Sequence, residues 1–166
     1  MLTKFVALLL SLTVLAVLWL NLSVNSYPQI PDELTFQRID GQQQTFKQLR
    51  GKPILATFWS PSCAICMHEV EEFNRLYSKL KGGERFELLG LSMYYDRPDI
   101  VLETSSRAGM QYPVYLDLKK ELSLAFGDIQ ATPTSFLIDA GGSIVYRHSG
   151  KLDFVKIADK LNELTG

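Results

Sequence analysis

The chain of 166 residues is poor in the residues that mark several protein classes. It has two cysteines, Cys63 and Cys66, and two histidines, His68 and His148. Two cysteines exclude a disulfide-stapled mini-scaffold and a four-cysteine zinc site. Neither sign of charge is in excess. Lys and Arg number 17 against 18 Asp and Glu, a net charge of -1, which argues against a nucleic-acid binder. A glycine-rich phosphate loop is lacking, so nucleotide binding has no sequence basis. There is no internal repeat and no low-complexity tract. What is present is ordinary for a folded chain: 46% hydrophobic and 21% charged residues. At roughly 100–200 residues per domain, the length allows one domain and a short appendage.

The apolar residues are concentrated at the start. Lys4 is the only charge before Asp32, and Phe5 to Leu20 carries only Ser11 and Thr13 as polar residues. One cation followed by an apolar run is the layout of a secretory signal or an N-terminal anchor. The run of about 16–19 residues falls between a signal core of about 7–15 and a spanning helix of about 17–25. Residues 1–26 are therefore expected to be a signal-anchor or a signal peptide, with a retained anchor favoured and Val24-Asn25-Ser26 as the cleavage alternative. A buried core helix is disfavoured, because the run has no polar face. Lys4 places the N-terminus in the cytoplasm and the rest of the chain outside it. Residues 27–33, with Pro28 and Pro31, read as a linker, and 34–166 as the domain.

Within the domain, Leu34 to Ile39 alternates as a half-buried strand, and Asp40-Gly41 turns. Ile54 to Trp59 is apolar almost throughout, the pattern of a strand covered on both faces. After Ser60-Pro61-Ser62, Cys63 to Leu80 reads as a helix with the stripe Cys66, Val70, Phe73, Tyr77 and Leu80, stopped by Gly82-Gly83. Phe86 to Met93 is a second buried strand. Asp96 is expected to cap a helix with Pro98 in its first turn. Tyr112 to Leu116 is a short strand, Leu118 to Phe126 a short helix, and Thr134 to Ile138 with Ser143 to Arg147 a hairpin around Gly141-Gly142. Asp153 caps a last helix with Phe154, Ile157, Ala158, Leu161 and Leu164 on one face. The order implies a mixed-sheet α/β domain with helices on both faces.

The chemistry centres on Cys63-Ala64-Ile65-Cys66 at a strand-to-helix junction. A cysteine at a helix N-terminus meets unpaired N–H groups and the helix dipole, which stabilise its thiolate. The thiolate is the attacking species in disulfide exchange, so Cys63 is the candidate nucleophile and Cys66, one turn on, the resolving thiol. The alternative is a pair of structural cysteines. Glu69, three residues after Cys66, belongs on the thiol side of the helix, where a partly buried carboxylate exchanges protons with Cys66 or tunes Cys63; the alternative is a solvated helix glutamate. His68 reads as a surface histidine. Ala131-Thr132-Pro133-Thr134 places a proline at the entry of a strand, where it cannot donate to the ladder.

Together, Phe58-Trp59, Cys63-Ala64-Ile65-Cys66, Glu69, Thr132-Pro133-Thr134 and Phe136-Leu137-Ile138-Asp139 resemble the TlpA/ResA branch of thioredoxin-fold disulfide reductases. The stretch from Tyr112-Pro113-Val114 to Phe126-Gly127 resembles the central βα insertion of that branch. The resemblance covers about Leu34 to Leu164. It implies a cis Pro133 facing the cysteines, a functional acid at Glu69, and client contacts at Trp59, Thr132 and Pro133. It also implies an extracytoplasmic oxidoreductase on the outer face of a bacterial inner membrane. Its clients would be proteins with disulfides or thiols, such as apocytochrome c or copper-site proteins. A membrane thiol donor would re-reduce it, and no cofactor is expected beyond a redox-active Cys63–Cys66 disulfide. Ser62 stands where many relatives have Trp, and Ala64-Ile65 lacks their common proline; these positions help set the redox poise. Two other readings remain open at this point: a disulfide-forming oxidant using the same cysteines, and a copper or zinc carrier binding through Cys63 and Cys66. A peroxidase of the peroxiredoxin kind is disfavoured, since Pro61-Ser62-Cys63 is too short for that loop.

Overall fold

A computed structural model of the chain describes residues 13–14, 27–80 and 82–166. Apart from Thr13 and Val14, the expected anchor or signal segment 1–26 lies outside the described residues. Among the described residues no helix is long and apolar enough to cross a membrane.

The elements in chain order are β1 (Thr35–Arg38), β2 (Gln43–Thr45), α1 (Phe46–Leu49), β3 (Ile54–Trp59), α2 (Ala64–Lys79), β4 (Glu87–Ser92), α3 (Pro98–Arg107), β5 (Val114–Leu116), α4 (Glu121–Ala125), β6 (Thr134–Ile138), β7 (Ile144–Ser149) and α5 (Phe154–Thr165). The strands form one sheet in the order β2-β1-β5-β4-β3-β6-β7. β3 lies inside it, parallel to β4 and antiparallel to β6. All six β3 residues are buried, which is why its sequence is apolar without alternation.

Alternation reappears in what each β3 residue touches. Ile54, Ala56 and Phe58 join Phe36, Phe46, Leu122 and Phe136 on the face covered by α1 and α4. Leu55 joins Phe73, Leu76, Ile157 and Leu161 on the face covered by α2 and α5. Trp59 meets Cys66 from α2 and Val101 from α3. Thus the mixed sheet carries helices on both faces, and successive side chains of one strand serve two cores. The polar exception in β3 is Thr57, whose Oγ1 accepts from the Ser135 hydroxyl directly across the ladder at 3.0 Å.

Gly90 has a packing reason to be in β4. A Cβ there would stand 3.0 Å from the Tyr112 ring and 3.4 Å from Trp59 Nε1. The missing side chain makes room for both aromatics. The sheet ends on β2 and β7. β2 has three residues, and β7 pairs with β6 through an irregularity between Leu137 and Ile138.

Three local expectations change. β2 and α1 were not anticipated; α1 is short and is held by the Gln48 side chain, which accepts from the Thr45 N–H at 2.8 Å. Asp96 does not cap α3: its N-cap residue is Arg97, and the Asp96 side chain is drawn to Ser60 instead. The helix expected from Leu118 shrinks to Glu121–Ala125, because Lys120 takes a left-handed conformation with φ 63°. Asp117, 2% exposed, explains where that helix begins. Its two oxygens accept from the Leu122 and Ser123 N–H groups, each at 2.9 Å, and the Ser123 hydroxyl also donates to it.

Asp117→Ala leaves these buried donors without an acceptor. At about 1–3 kcal/mol for each orphaned group, the variant is expected to lose at least about 2 kcal/mol of unfolding free energy. Urea denaturation read by circular dichroism measures it.

Candidate active site

Three loops meet at the end of the sheet where β3 finishes. β3 runs on into the turn 60–63; β4, parallel and in register as Trp59 with Ser92, ends beside it. β6 is antiparallel, and the pairing of Phe58 with Thr134 brings its start, with Thr132 and Pro133, to the same end. The Met93 N–H donates to the Trp59 carbonyl at 3.2 Å, fastening the β4–α3 loop to the end of β3.

Cys63 is the N-cap residue of α2. Its sulfur receives the Cys66 N–H at 3.2 Å, a free donor of the helix's first turn. The two cysteines form a disulfide, with their Cα atoms 5.3 Å apart. Their exposure differs. Cys63 is half-buried, while Cys66 is 5% exposed and packs with Trp59, Val101 and Val114. An incoming group therefore meets Cys63 first.

Glu69 is not a solvated helix residue. It is 2% exposed and belongs to the buried stripe of α2 with Cys66, Val70, Phe73 and Leu76. Spacing of three residues puts Glu69 one turn from Cys66 on that face. Its Oε1 accepts from the Leu152 N–H at 2.6 Å, and its Oε2 is buried with no hydrogen-bond partner. Burial drives its pKa above the ordinary carboxylate value; the Leu152 hydrogen bond and the charges of Lys151 and His148 oppose this without cancelling it. Glu69 lines a cavity of about 420 Å³ with Ile65, His68, Lys151 and Phe154. A buried carboxyl with a raised pKa is equipped to take up and return a proton.

The Thr132–Pro133 peptide is cis. The Pro133 carbonyl accepts from the Gly150 N–H at 2.8 Å, and no turn or loop hydrogen bond among the described residues engages the Thr132 backbone. Trp59 departs from its expected role. At 3% exposed it packs with Cys66 and Val101 and offers little surface to a client. The physical reason is its position at the end of a strand covered on both faces. His68 is exposed, and His148 hydrogen-bonds the Lys151 carbonyl at 2.8 Å. Among the described residues no group of three or more His, Cys, Asp or Glu side chains is placed to hold a metal ion.

Sequence reasoning missed one network. The Ser60 hydroxyl donates to Asp96 Oδ1 at 2.8 Å and lies 3.0 Å from the Ser62 hydroxyl. The available signal was Ser60 itself, a polar residue continuing an apolar run into the core, where it is 1% exposed.

A mixed sheet with a cysteine pair opening the helix after its buried central strand, and a cis-proline starting the neighbouring strand, defines a protein disulfide oxidoreductase of the thioredoxin type. The chain belongs to the AhpC/TSA family, whose profile matches residues 28–147. It is 29% identical over 128 residues to the thiol-disulfide oxidoreductase ResA of Bacillus thuringiensis, covering 76% of this chain and 72% of the relative. It is 33% identical over 103 residues to the thiol:disulfide interchange protein DsbE of Yersinia pestis, covering 62% of this chain and 52% of that one. The crystal structure of StoA from Bacillus subtilis superposes with a TM-score of 0.68 at 22% identity, over 80% of this chain and 98% of StoA. These relatives agree with the TlpA/ResA resemblance read from the motifs.

Because the native carboxyl of Glu69 titrates above its unfolded value, the folded state holds a proton that the unfolded chain has released in the window between the two. Stability contributed by this group is present below the unfolded carboxylate pKa and falls as pH rises through the native one. Glu69→Gln is expected to denature at higher urea than the parent at pH 8, with the difference shrinking towards pH 4. Urea midpoints at the two pH values measure it.

Proposed function

We propose that the protein reduces disulfides in client proteins on the extracytoplasmic side of a membrane, held there by residues 1–26. The observation that carries this reading is the contrast between an accessible Cys63 and a buried Cys66 backed by Glu69.

The Cys63 thiolate attacks one sulfur of a client disulfide. A Cys63–client bond forms, the client S–S bond breaks, and the departing client thiolate takes a proton. Cys66 then gives its proton to Glu69 and attacks the Cys63 sulfur. The Cys63–client bond breaks, the second client sulfur leaves as a thiolate and is protonated, and the Cys63–Cys66 disulfide remains. Two electrons have passed to the client. A membrane thiol donor returns them by the same exchange in reverse. Thr132, with its backbone groups disengaged, and Pro133 are the residues against which an extended client segment is laid. Cys66 and Glu69, 5% and 2% exposed, act only after the client is attached.

The reading is tested by trapping. Cys66→Ser removes the resolving thiol, so cells expressing it are expected to accumulate mixed disulfides through Cys63, while Cys63→Ser yields none. Absence of such adducts with Cys66→Ser would count against it. The direction of electron flow is read from the reduction potential of the pair. A value near the thioredoxin end, about -270 mV, supports a reductant. One near about -120 mV makes the protein a disulfide-forming oxidant.

A further inference from the structure

Neither the cysteine pair nor Glu69 accounts for Asp96. This residue sits in the β4–α3 loop, where its N–H closes a turn onto the Met93 carbonyl at 3.0 Å. Its Oδ1 accepts from Ser60, and its Oδ2 is shut off from solvent with no hydrogen-bond partner. A carboxylate oxygen left in that state is costly, and a site that keeps one has a use for it.

No cation offsets the charge among the described residues. Arg97, next in the chain, is paired with Asp99 at 2.6 Å. Lys120 is paired with Asp128 at 3.0 Å and lies over the Tyr94 ring. Tyr94 and Tyr95 complete the titratable groups of the loop, and the Tyr95 hydroxyl is pushed up by burial and then by Asp96 itself. Burial raises the Asp96 pKa, and the Ser60 hydroxyl and the Met93 backbone oppose that rise.

From the β3 side the contact leads to the nucleophile. Ser60 has one hydroxyl proton, and it points to Asp96 while the carboxylate is charged. The Ser60 oxygen then accepts, from the Ser62 N–H at 3.3 Å and from the Ser62 hydroxyl at 3.0 Å. The Ser60 carbonyl accepts from the Cys63 N–H at 3.0 Å. Asp96 thus anchors the one residue to which both Ser62 and Cys63 are tied.

We propose that Asp96 is a positioning residue for Cys63: through Ser60 it holds the turn that presents the sulfur, and its negative charge opposes formation of the thiolate. The inference rests on Cys63 being the attacking sulfur. It gives the opposition a purpose. The first turn of α2 favours the thiolate, and a thiol whose pKa falls too far is a weaker nucleophile and belongs to a more oxidising pair. Asp96 keeps Cys63 on the reducing side of that balance.

The test is the pH profile of Cys63 alkylation by iodoacetamide in the reduced protein, read by peptide mass spectrometry. Asp96→Asn keeps an acceptor for Ser60 and removes the charge. Its midpoint is expected to fall by about half a unit or more, roughly a threefold gain in thiolate at a pH below the midpoint. In a Ser60→Ala background the turn is no longer tied to Asp96, so the same change is expected to give a smaller shift. No shift with Asp96→Asn overturns the proposal, and so does an equal shift in both backgrounds. A measurement on the parent protein needs no variant. Coupling is reciprocal, so the carboxyl ¹³C signal of Asp96 should titrate a second time at the Cys63 midpoint when the pair is reduced and not when it is oxidised; a single step in both overturns the proposal. A midpoint shift without trapped clients in Cys66→Ser retains the Asp96 tie and defeats the client-reducing reading, and trapping without a shift does the reverse.

Discussion

The position of β3 is the constraint on which the rest of the molecule depends. A strand hydrogen-bonded on both sides and covered on both faces is fixed in register, since a slip of one residue would exchange its two sets of side chains between two different cores. Leu55 and Phe58 are both inaccessible, each in its own cluster. That rigidity is passed to the turn that follows. Cys63 is held by the Cys66 N–H, by its own N–H to the Ser60 carbonyl, and by its carbonyl to the Met67 N–H at 3.1 Å. The Cys63 sulfur is thereby tied to the buried central strand, as a site requiring repeatable geometry needs.

Two acids lie near this turn, and their surroundings differ in kind. Glu69 is enclosed by α2 and the segment before α5, where Lys151 and His148 moderate the cost of its charge. Asp96 has no cation among the described residues and relies on the Ser60 hydroxyl and the Met93 backbone. Glu69 lies one helical turn from the inner cysteine, and Asp96 is tied through Ser60 to the turn that carries the outer one. Tyr112 records the field of the first: its hydroxyl is pushed well above its ordinary pKa, mainly by burial and additionally by the Glu69 charge.

Elements whose pattern is local were legible in the sequence. The apolar run of β3, the helical stripe of α2, the Asp153 cap that accepts from the Val155 and Lys156 N–H groups, and the hairpin turn with Gly142 at φ 90° all carry their cause within a few residues. The cysteine pair was legible for the same reason. What was missed depends on residues far apart in the chain. Asp96 is a plausible cap by its spacing to Pro98, but Ser60, 36 positions away, takes its side chain. Asp117 looks like a loop residue until the amides of α4 fold onto it. Glu69 was placed on the thiol side from spacing, while the depth of its burial came from Leu152, 83 residues on. Trp59 was expected to contact clients by resemblance, while its place at the end of an apolar run already pointed to the interior, where it is 3% exposed.

The two margins of the sheet have a consequence for a protein that handles other polypeptides. A partly unfolded client presents strands with unsatisfied backbone groups, and a long flat sheet edge would pair with them indiscriminately. Here one margin is β2, three residues long, and the other is β7, irregularly paired and bearing Arg147 and His148. Both are poor templates for strand addition. Guest chains are thereby discouraged from augmenting the sheet sideways and left to engage at its end, so the same irregularity that shortens the ladder guards the molecule against co-aggregating with its own substrates.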